Sequence, residues 1–346
     1  MASAAPPPPP DLLAAWAEFE GAAVVPLPGG LINHTYIVTR GDRRWILQRL
    51  HTIYRAELHD DIEAVTRHLA ARGLVTPLLV RTRAGALSQT DADGRLWRAL
   101  DYIDGRTFHR LERPAQAAAA GALVARFHRA LADLDHRFAF VRPEFHDTPG
   151  YLARLEQSLA GAAPALRALG EQVLALGRAL PLPGGLPPRL IHGDLKISNV
   201  IFAPDADRAL ALCDLDSLAR MSIPIEMGDA LRSWSNPLGE DVEATRLDGA
   251  VFEAALAGYR EAAGDLLTRE EIDALVPGFL TITLELAARF ACDAIEDRYF
   301  GWDPARFPSR REHNRVRAVG QLTLTRAGIA ARADLEAVVR RLWLAT

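Results

Sequence analysis

The stretch from 189 to 216 constrains this chain more than any other. Leu190-Ile191 and Val200-Ile201-Phe202 are apolar and β-prone, and between them runs His192-Gly193-Asp194-Leu195-Lys196-Ile197-Ser198-Asn199. Pro204-Asp205-Ala206-Asp207 is turn chemistry, and Ala209–Cys213 reads as the returning strand before Asp214-Leu215-Asp216. In an antiparallel hairpin, the residue before the first strand and the residue after the second lie at one end. Local geometry therefore predicts that Asn199 and Asp214 meet, with Asp194 facing them from the preceding loop. A lone histidine and aspartate would suit an Asx-turn. A histidine, two carboxylates and an amide in this order suit a reactive site better.

Composition sets the outer limits. The chain has 346 residues, 49% hydrophobic and 24% charged, which excludes a disordered, collagen-like or coiled-coil protein and suggests two lobes. A formal net charge of −4 argues against a nucleic-acid partner. Two cysteines, Cys213 and Cys292, are too few for a disulfide framework and fit a reducing cytoplasm. The histidines show no metal-ligand spacing, so zinc is not implied. No targeting signal and no run of about 18 apolar residues is evident, so neither a membrane span nor a membrane partner is expected. No protein partner is expected either. Residues 1–17 open with small residues and a proline run, Pro6–Pro10, and are expected to form a disordered arm. Lysine and arginine total 40, yet Lys196 is the only lysine.

Along the chain, Val24–Pro28, His34–Thr39 and Arg44–Leu50 read as strands, followed by a helix over Ala56–Arg72 with Leu58, Ile62, Val65 and Leu69 on one face. Leu78–Thr82 and Leu96–Ile103 read as further strands. Beyond Asp104-Gly105 the pattern turns helical, with helices expected at Ala115–Asp133, Thr148–Leu159, Ala165–Leu180, Val242–Ala263, Arg269–Asp297 and much of Arg310–Trp343. The expected lobes are therefore 18–104, mostly β with one long helix, and 105–346, mainly helical.

Phosphoryl transfer needs a set like the one at 192–214. A carboxylate, Asp194, accepts the proton of an attacking hydroxyl. An amide oxygen and a second carboxylate, Asn199 and Asp214, hold Mg²⁺ against nucleotide phosphates, with Asp216 a candidate for a second ion. Lys196, two residues after Asp194, is placed to neutralise charge on a transferred phosphoryl group. Gly29-Gly30 between two strands reads as a turn that could cradle phosphate.

His192-Gly193-Asp194, Asn199 and Asp214 together resemble the aminoglycoside phosphotransferase/choline kinase family of small-molecule kinases. Gly29-Gly30-Leu31-Ile32-Asn33-His34-Thr35-Tyr36 resembles that family's nucleotide-loop hairpin, Ala125–Leu131 its "LHAL"-type helix, and Gly228-Asp229 the place of an aspartate that braces the catalytic loop. Less specific runs, among them Trp45–Leu50, Phe145-His146-Asp147-Thr148-Pro149, Met227–Arg232 and Arg289-Phe290 with Asp293, are similar to N-acetylhexosamine 1-kinases.

The resemblance implies an α+β, bilobal, protein-kinase-like fold. It has a small antiparallel sheet and one long helix in the N-lobe and a larger helical C-lobe, with ATP or another nucleoside triphosphate and Mg²⁺ in the cleft. Gly29, Gly30, Asn33 and Thr35 would serve the nucleotide, with its base near Leu100–Ile103, where Asp101 and Ile103 are the contacts. The strand lysine that many such kinases use cannot exist here. Gln48 or Arg49 stands in its place, and alternation along a strand allows only one of the two to reach the nucleotide. Asp61 or Glu63 would be the helix carboxylate. Arg289 and Asp293, i,i+4 on a helix, form an ordinary surface pair by spacing alone; the resemblance implies acceptor contact. Tyr299, Phe300 and Trp302 could wall a sugar or fill the core. The acceptor expected is a small molecule, first a sugar at its anomeric hydroxyl, with an aminoglycoside, choline or homoserine-like alcohol as the alternative. A nucleotide-binding pseudokinase is the rival from another class, supported only by the missing strand lysine.

Overall fold

The computed structural model describes residues 6–27, 33–141, 145–181, 183–204 and 207–344. These form two compact units, one of residues 1–104 with 133–141 and the other of 105–132 with 142–346.

The first unit begins with a short helix α1 (Pro10–Leu13) and carries strands β1 (Ala23–Leu27), β2 (His34–Arg40) and β3 (Arg43–Arg49), helix α2 (Leu58–Ala71), then β4 (Leu79–Val80), β5 (Gln89–Thr90) and β6 (Leu96–Asp101). The strands pair antiparallel in the order β1-β2-β3-β6-β4, with β5 on β6. One face of the sheet, built from Tyr36, Val38, Trp45, Leu47, Trp97 and Ala99, packs against Leu12, Trp16 and Phe19. The arm expected to be disordered over 1–17 is therefore ordered from Pro6 onward. Trp16 is fully buried and donates from Nε1 to the Val80 carbonyl at 2.9 Å. An indole buries too much apolar area to stay in water when a sheet face is open beside it. On α2, Leu58, Ile62, Val65 and Leu69 are all buried, as their spacing predicts. Asp61 accepts from His136 (2.8 Å) and from the backbone N–H groups of Ala139 and Phe140 (2.9 Å each), tying 133–141 to this unit.

The second unit starts with α3 (Pro114–Leu131), α4 (Thr148–Ser158) and α5 (Pro164–Ala179). Strand β7 (Arg189–Ile191) pairs with β10 (Ala219–Met221), and β8 (Val200–Phe202) pairs with β9 (Ala209–Leu212). Then come α6 (Ile223–Trp234), α7 (Gly249–Ala263), α8 (Arg269–Asp273), α9 (Leu275–Glu296), α10 (Arg310–Ala330) and α11 (Arg332–Leu344). Several of these depart from the sequence reading, and the one helix expected over much of 310–343 is two, α10 and α11, meeting at Ala331. Helix α7 starts at 249, not 242, because the Asp248 carboxylate caps the N–H groups of Ala250 and Val251 at 3.1 Å. The helix expected over 269–297 breaks at Ala274. Pro277 has no N–H for the Asp273 carbonyl, and Thr268 closes a capping box on α8 alone. Helix α6 was not expected, although Pro224 in its first turn and the spacing of Ile223, Met227, Ala230, Leu231 and Trp234 mark it.

Helix α9 is the centre of this unit. By length and composition it could cross a bilayer, yet most of it is buried. Leu284, Ala287, Ala288, Phe290 and Ala291 pack with Leu155 of α4, Val173 of α5 and Leu322 of α10. It crosses α6 closely enough that a Cβ on Gly278 would stand 2.1 Å from the Pro224 carbonyl oxygen. Two glycines, Gly228 and Gly278, permit that approach. The crossing brings the polar residues of α6 and α9 under the loop that follows β7.

Candidate active site

The β8–β9 hairpin delivers what its sequence predicts. Val200 pairs with Leu212, and the Cys213 N–H donates to the Asn199 carbonyl at 2.9 Å. Asn199 and Asp214 therefore leave the hairpin at one end. The Asn199 amide donates from Nδ2 to the Asp194 carbonyl (2.8 Å) and carboxylate (3.2 Å). Its Oδ1 carries no hydrogen bond among the described residues. Lys196 Nζ binds Asp194 Oδ2 and lies 3.8 Å from Asp214 Oδ2. Burial acts to raise the Asp194 carboxyl, but the Lys196 ammonium outweighs it and holds the group down at about 2. Lys196 is lifted above its ordinary range, since Asp194 and Asp214 together overcome its desolvation. Asp214 adopts a left-handed backbone (φ +63°) and is 39% exposed in its side chain, whereas Asp216 is buried in the next turn. Burial pushes the Cys213 thiol up to about 12, so it is no nucleophile.

Helix α6 braces this loop from below. Glu226, fully buried, accepts from the N–H groups of His192 (2.7 Å) and Gly193 (2.9 Å). Ser233 accepts from Ile197 N–H at 3.0 Å, and Trp234 donates to the Leu195 carbonyl at 2.8 Å. The Asp194 N–H donates to His192 Nδ1 (3.3 Å), which leaves Nε2 to donate to the Cys213 carbonyl at 2.9 Å. His192 thus couples the loop to the residue before Asp214. Asp229, expected to brace the loop, does not. Its Oδ1 accepts from Arg232, and its buried Oδ2 has no hydrogen-bond partner among the described residues. Gly193 sits at φ +84°, and a Cβ there would stand 2.3 Å from the Ser217 carbonyl oxygen, so only glycine fits.

Arg289 lies on α9 with its guanidinium 4.9 Å from the Tyr151 ring centroid and 5.4 Å from that of Phe300. Its partner is Glu285, at 3.7 Å, one turn back. It makes no hydrogen bond among the described residues. The pairing with Asp293 expected from i,i+4 spacing is absent. Asp293 Oδ1 accepts from the N–H groups of Arg298 and Tyr299, and Oδ2 from Phe300 N–H and Asn314 Nδ2, at 2.7–3.0 Å. Four bonds saturate a carboxylate, which leaves Asp293 nothing for an acceptor molecule. It positions Phe300 instead. Two residues that sequence reasoning missed join this group. Glu285 accepts from Thr148 Oγ1 at 2.6 Å and from His146 Nδ1 at 3.0 Å, and His146 Nε2 lies 3.2 Å from the Gly193 carbonyl oxygen. Glu285 was legible as the other i,i+4 neighbour of Arg289.

In the first unit, Gln48 and Arg49 take opposite faces of β3. Arg49 continues the covered face of Trp45 and Leu47. Gln48 lies in a cross-strand row, donating to Thr35 Oγ1 (3.2 Å) and accepting from Arg98 Nε (2.9 Å). The cation beside the strand-lysine position is therefore the buried Arg98 of β6, which no sequence motif marked. Among the described residues, neither proposed helix carboxylate bonds to Gln48 or Arg49. Asp61 holds 136–140, and Glu63 pairs with Arg67 and Arg81. Asn33 Oδ1 accepts from the His51 N–H at 3.0 Å. Asp101 and Ile103, at and beyond the end of β6, are half-buried, and burial raises the Asp101 carboxyl. Gly29 and Gly30 lie outside the described residues.

An antiparallel sheet unit, a helical unit, and an Asp–Lys–Asn–Asp loop closed by a hairpin define a phosphotransferase of protein-kinase-like architecture. Comparison with known proteins narrows this. The model of the phosphotransferase enzyme family matches residues 23–264, and the chain belongs to that family of small-molecule kinases. Homoserine kinase of Rhodopseudomonas palustris is 30% identical over 250 residues, 71% of this chain and 72% of that protein. A microcompartment-associated aminopropanol kinase has the same fold, with TM-score 0.65 and 18% identity over 94% of this chain and 97% of the other. So does an amicoumacin kinase solved with AMP-PNP and Ca²⁺, with TM-score 0.60 and 16% identity over 87% of each chain.

Proposed function

We propose that this kinase transfers the γ-phosphoryl group of ATP, with Mg²⁺, to a hydroxyl of a small acceptor seated at Asp194. The observation that carries the reading is the convergence of Asp194, Lys196, Asn199 and Asp214. Asp194 orients the hydroxyl and takes its proton. A carboxyl held near 2 is a weak base, which suits a loose transition state in which the proton leaves late. Lys196 places positive charge where the transferred group develops negative charge.

The residues fit a magnesium ion. No cluster of three or more His, Cys, Asp or Glu exists among the described residues, but Mg²⁺ needs only one or two protein oxygens beside waters and phosphates. Asn199 Oδ1 and the exposed Asp214 carboxylate supply them. When bound, the ion would neutralise the nucleotide phosphates. The aligned amicoumacin kinase, solved with AMP-PNP and Ca²⁺, supports the nucleotide and metal reading. In the first unit, Thr35, Gln48 and the Leu100–Ile103 segment are our nucleotide-side candidates. Two free thiols suit a reducing cytoplasm.

For the acceptor we propose a molecule without net charge. The charges near the loop balance: Arg289, His146 and Arg232 against Glu285, Asp229 and Glu240. Arg289 has forked donors to spare, which suit a carboxylate. A hydroxy amino acid such as homoserine presents one, and the homoserine kinase relative supports this. A sugar, N-acetylhexosamines included, is the second reading, favoured by the half-exposed Tyr299 ring. The Tyr151 and Phe300 rings already flank Arg289, which counts against sugar stacking there.

The test is ADP release over homoserine, N-acetylhexosamines, hexoses, aminoglycosides and choline, with Asp194→Asn as control. The control should lose about 10²–10⁴ in rate and keep nucleotide affinity. More than a tenth of the activity left in Asp194→Asn would remove Asp194 as the base. Preference for a polycation would overturn the acceptor reading.

A further inference from the structure

We infer that His146 is a positioning residue for the transfer step: held as an imidazolium between the Glu285 carboxylate and the Gly193 carbonyl, it fixes the peptide that carries Asp194 against the acceptor side of the site. The inference rests on the catalytic reading of Asp194 given above.

The protonation state follows from the partners. His146 Nδ1 is 3.0 Å from Glu285 Oε1, and Nε2 is 3.2 Å from the Gly193 oxygen. A carboxylate and a carbonyl only accept, and a neutral imidazole has a single donor. Both contacts are hydrogen bonds only if both nitrogens carry protons. The charged groups around the ring agree. Glu285 and Arg289 face it from α9 and Asp229 from α6, two anions against one other cation. Desolvation opposes the charge, and Glu285 and then Asp229 restore it, leaving the group above its ordinary value.

The placement is built rather than incidental. His146 has φ +51°, a conformation that a non-glycine residue adopts only when its surroundings impose it. Asp147 then caps α4 through the Gly150 N–H, and Thr148 donates to the second oxygen of Glu285. Phe145 closes on Gly193 from the other side of the same turn. The loop does not need His146 to fold. Glu226, Ser233 and Trp234 already engage His192, Gly193, Ile197 and Leu195. His146 adds the Gly193 carbonyl, which sets the plane of the peptide leading into Asp194. Its counter-ion, Glu285, is also the ion-pair partner of Arg289. One carboxylate thus orients the general base and the acceptor arginine together.

The experiment uses the full chain and reads ADP release with the acceptor that the panel selects, or with water if none is turned over. Rates are divided by the number of nucleotide-binding sites titrated calorimetrically with Mg²⁺ and AMP-PNP. His146→Gln keeps a donor for Gly193 without the charge; His146→Leu keeps neither. The order wild type, Gln, Leu is expected, with kcat falling roughly 10-fold and then 100-fold and both KM values within about threefold. Glu285→Gln should lower kcat and also raise the acceptor KM, since Arg289 loses its partner. The wild-type kcat should decline on the alkaline side as the imidazolium loses its proton, and that limb should be missing in His146→Gln. Equal site-normalised kcat in all three His146 forms overturns the inference. So does loss of nucleotide sites in both variants, which would make the residue a fold element. Activity surviving in Asp194→Asn is a different failure, that of the catalytic reading itself.

Discussion

Replacing Lys196 by methionine keeps the length of the side chain and removes its charge. In the native loop Nζ contacts Asp194 Oδ2 and stands 3.8 Å from Asp214 Oδ2. Holding the Asp194 carboxyl at about 2 instead of 3.8 corresponds to roughly 2–3 kcal/mol in favour of its ionised form. The side chain is about one-third exposed, so solvent screening brings this to about 1–2 kcal/mol. Asp194 is a depressed carboxylate, so its stabilisation is present above its unfolded value near 3.8 and is lost as pH falls toward 2. Without Lys196, burial is opposed only by the weaker pull of His192 and Arg232, and the carboxyl rises. The acid limb of kcat/KM, hidden below the measurable range in the wild type, should then enter it. At pH 7.5 the loss of positive charge beside the transferred group should cost about 10²–10³ in kcat, the scale of deleting one transition-state donor. A coupled ADP assay from pH 4.5 to 9 measures both. A kcat within threefold of wild type, or an acid limb that does not move, would refute the charge-neutralising role of Lys196.

Asp214→Ala should abolish the Mg²⁺ dependence of nucleotide binding in calorimetry; unchanged Mg²⁺-linked affinity would place the metal elsewhere. Arg289→Ala should raise the acceptor KM about tenfold and leave the nucleotide KM level, because its donors are unspent and its loss leaves little unpaired. Asp293→Ala should do the reverse of what its spacing suggests: it strands four donors, one of them the fully buried Asn314 amide, and lowers the thermal midpoint, an effect of about 2–4 kcal/mol, before it changes any KM. Gly193→Ala should destabilise and inactivate together, since the left-handed backbone alone costs about 1–2 kcal/mol and the Ser217 carbonyl blocks the methyl group. A soluble Gly193→Ala enzyme with normal kcat would contradict the loop geometry.

What the sequence determined by itself is what short-range geometry decides. The meeting of Asn199 with Asp214 needs only a hairpin, because strand pairing returns the chain to its starting end. The buried face of α2 needs only a 3.6-residue period, and the opposition of Gln48 and Arg49 needs only the pleat. The lack of any lysine but Lys196 is plain from composition. Trp16 marks the limit of that method: a proline run announced an arm, and the indole a few residues on belonged to the core.

Tertiary structure decided which carboxylate serves which donor. Glu226 supports the loop after β7 from 33 and 34 residues away, and Glu285 holds His146 across 139. A buried N–H takes an acceptor from whichever helix packs beneath it, and only the close crossing at Gly228 and Gly278 puts α6 and α9 there. The choice of Glu285 over Asp293 for Arg289 has the same origin. Both are one helical turn away, and local spacing treats them alike. The difference is that the 298–300 loop folds back on Asp293 and spends its oxygens, while Glu285 faces the turn that carries His146.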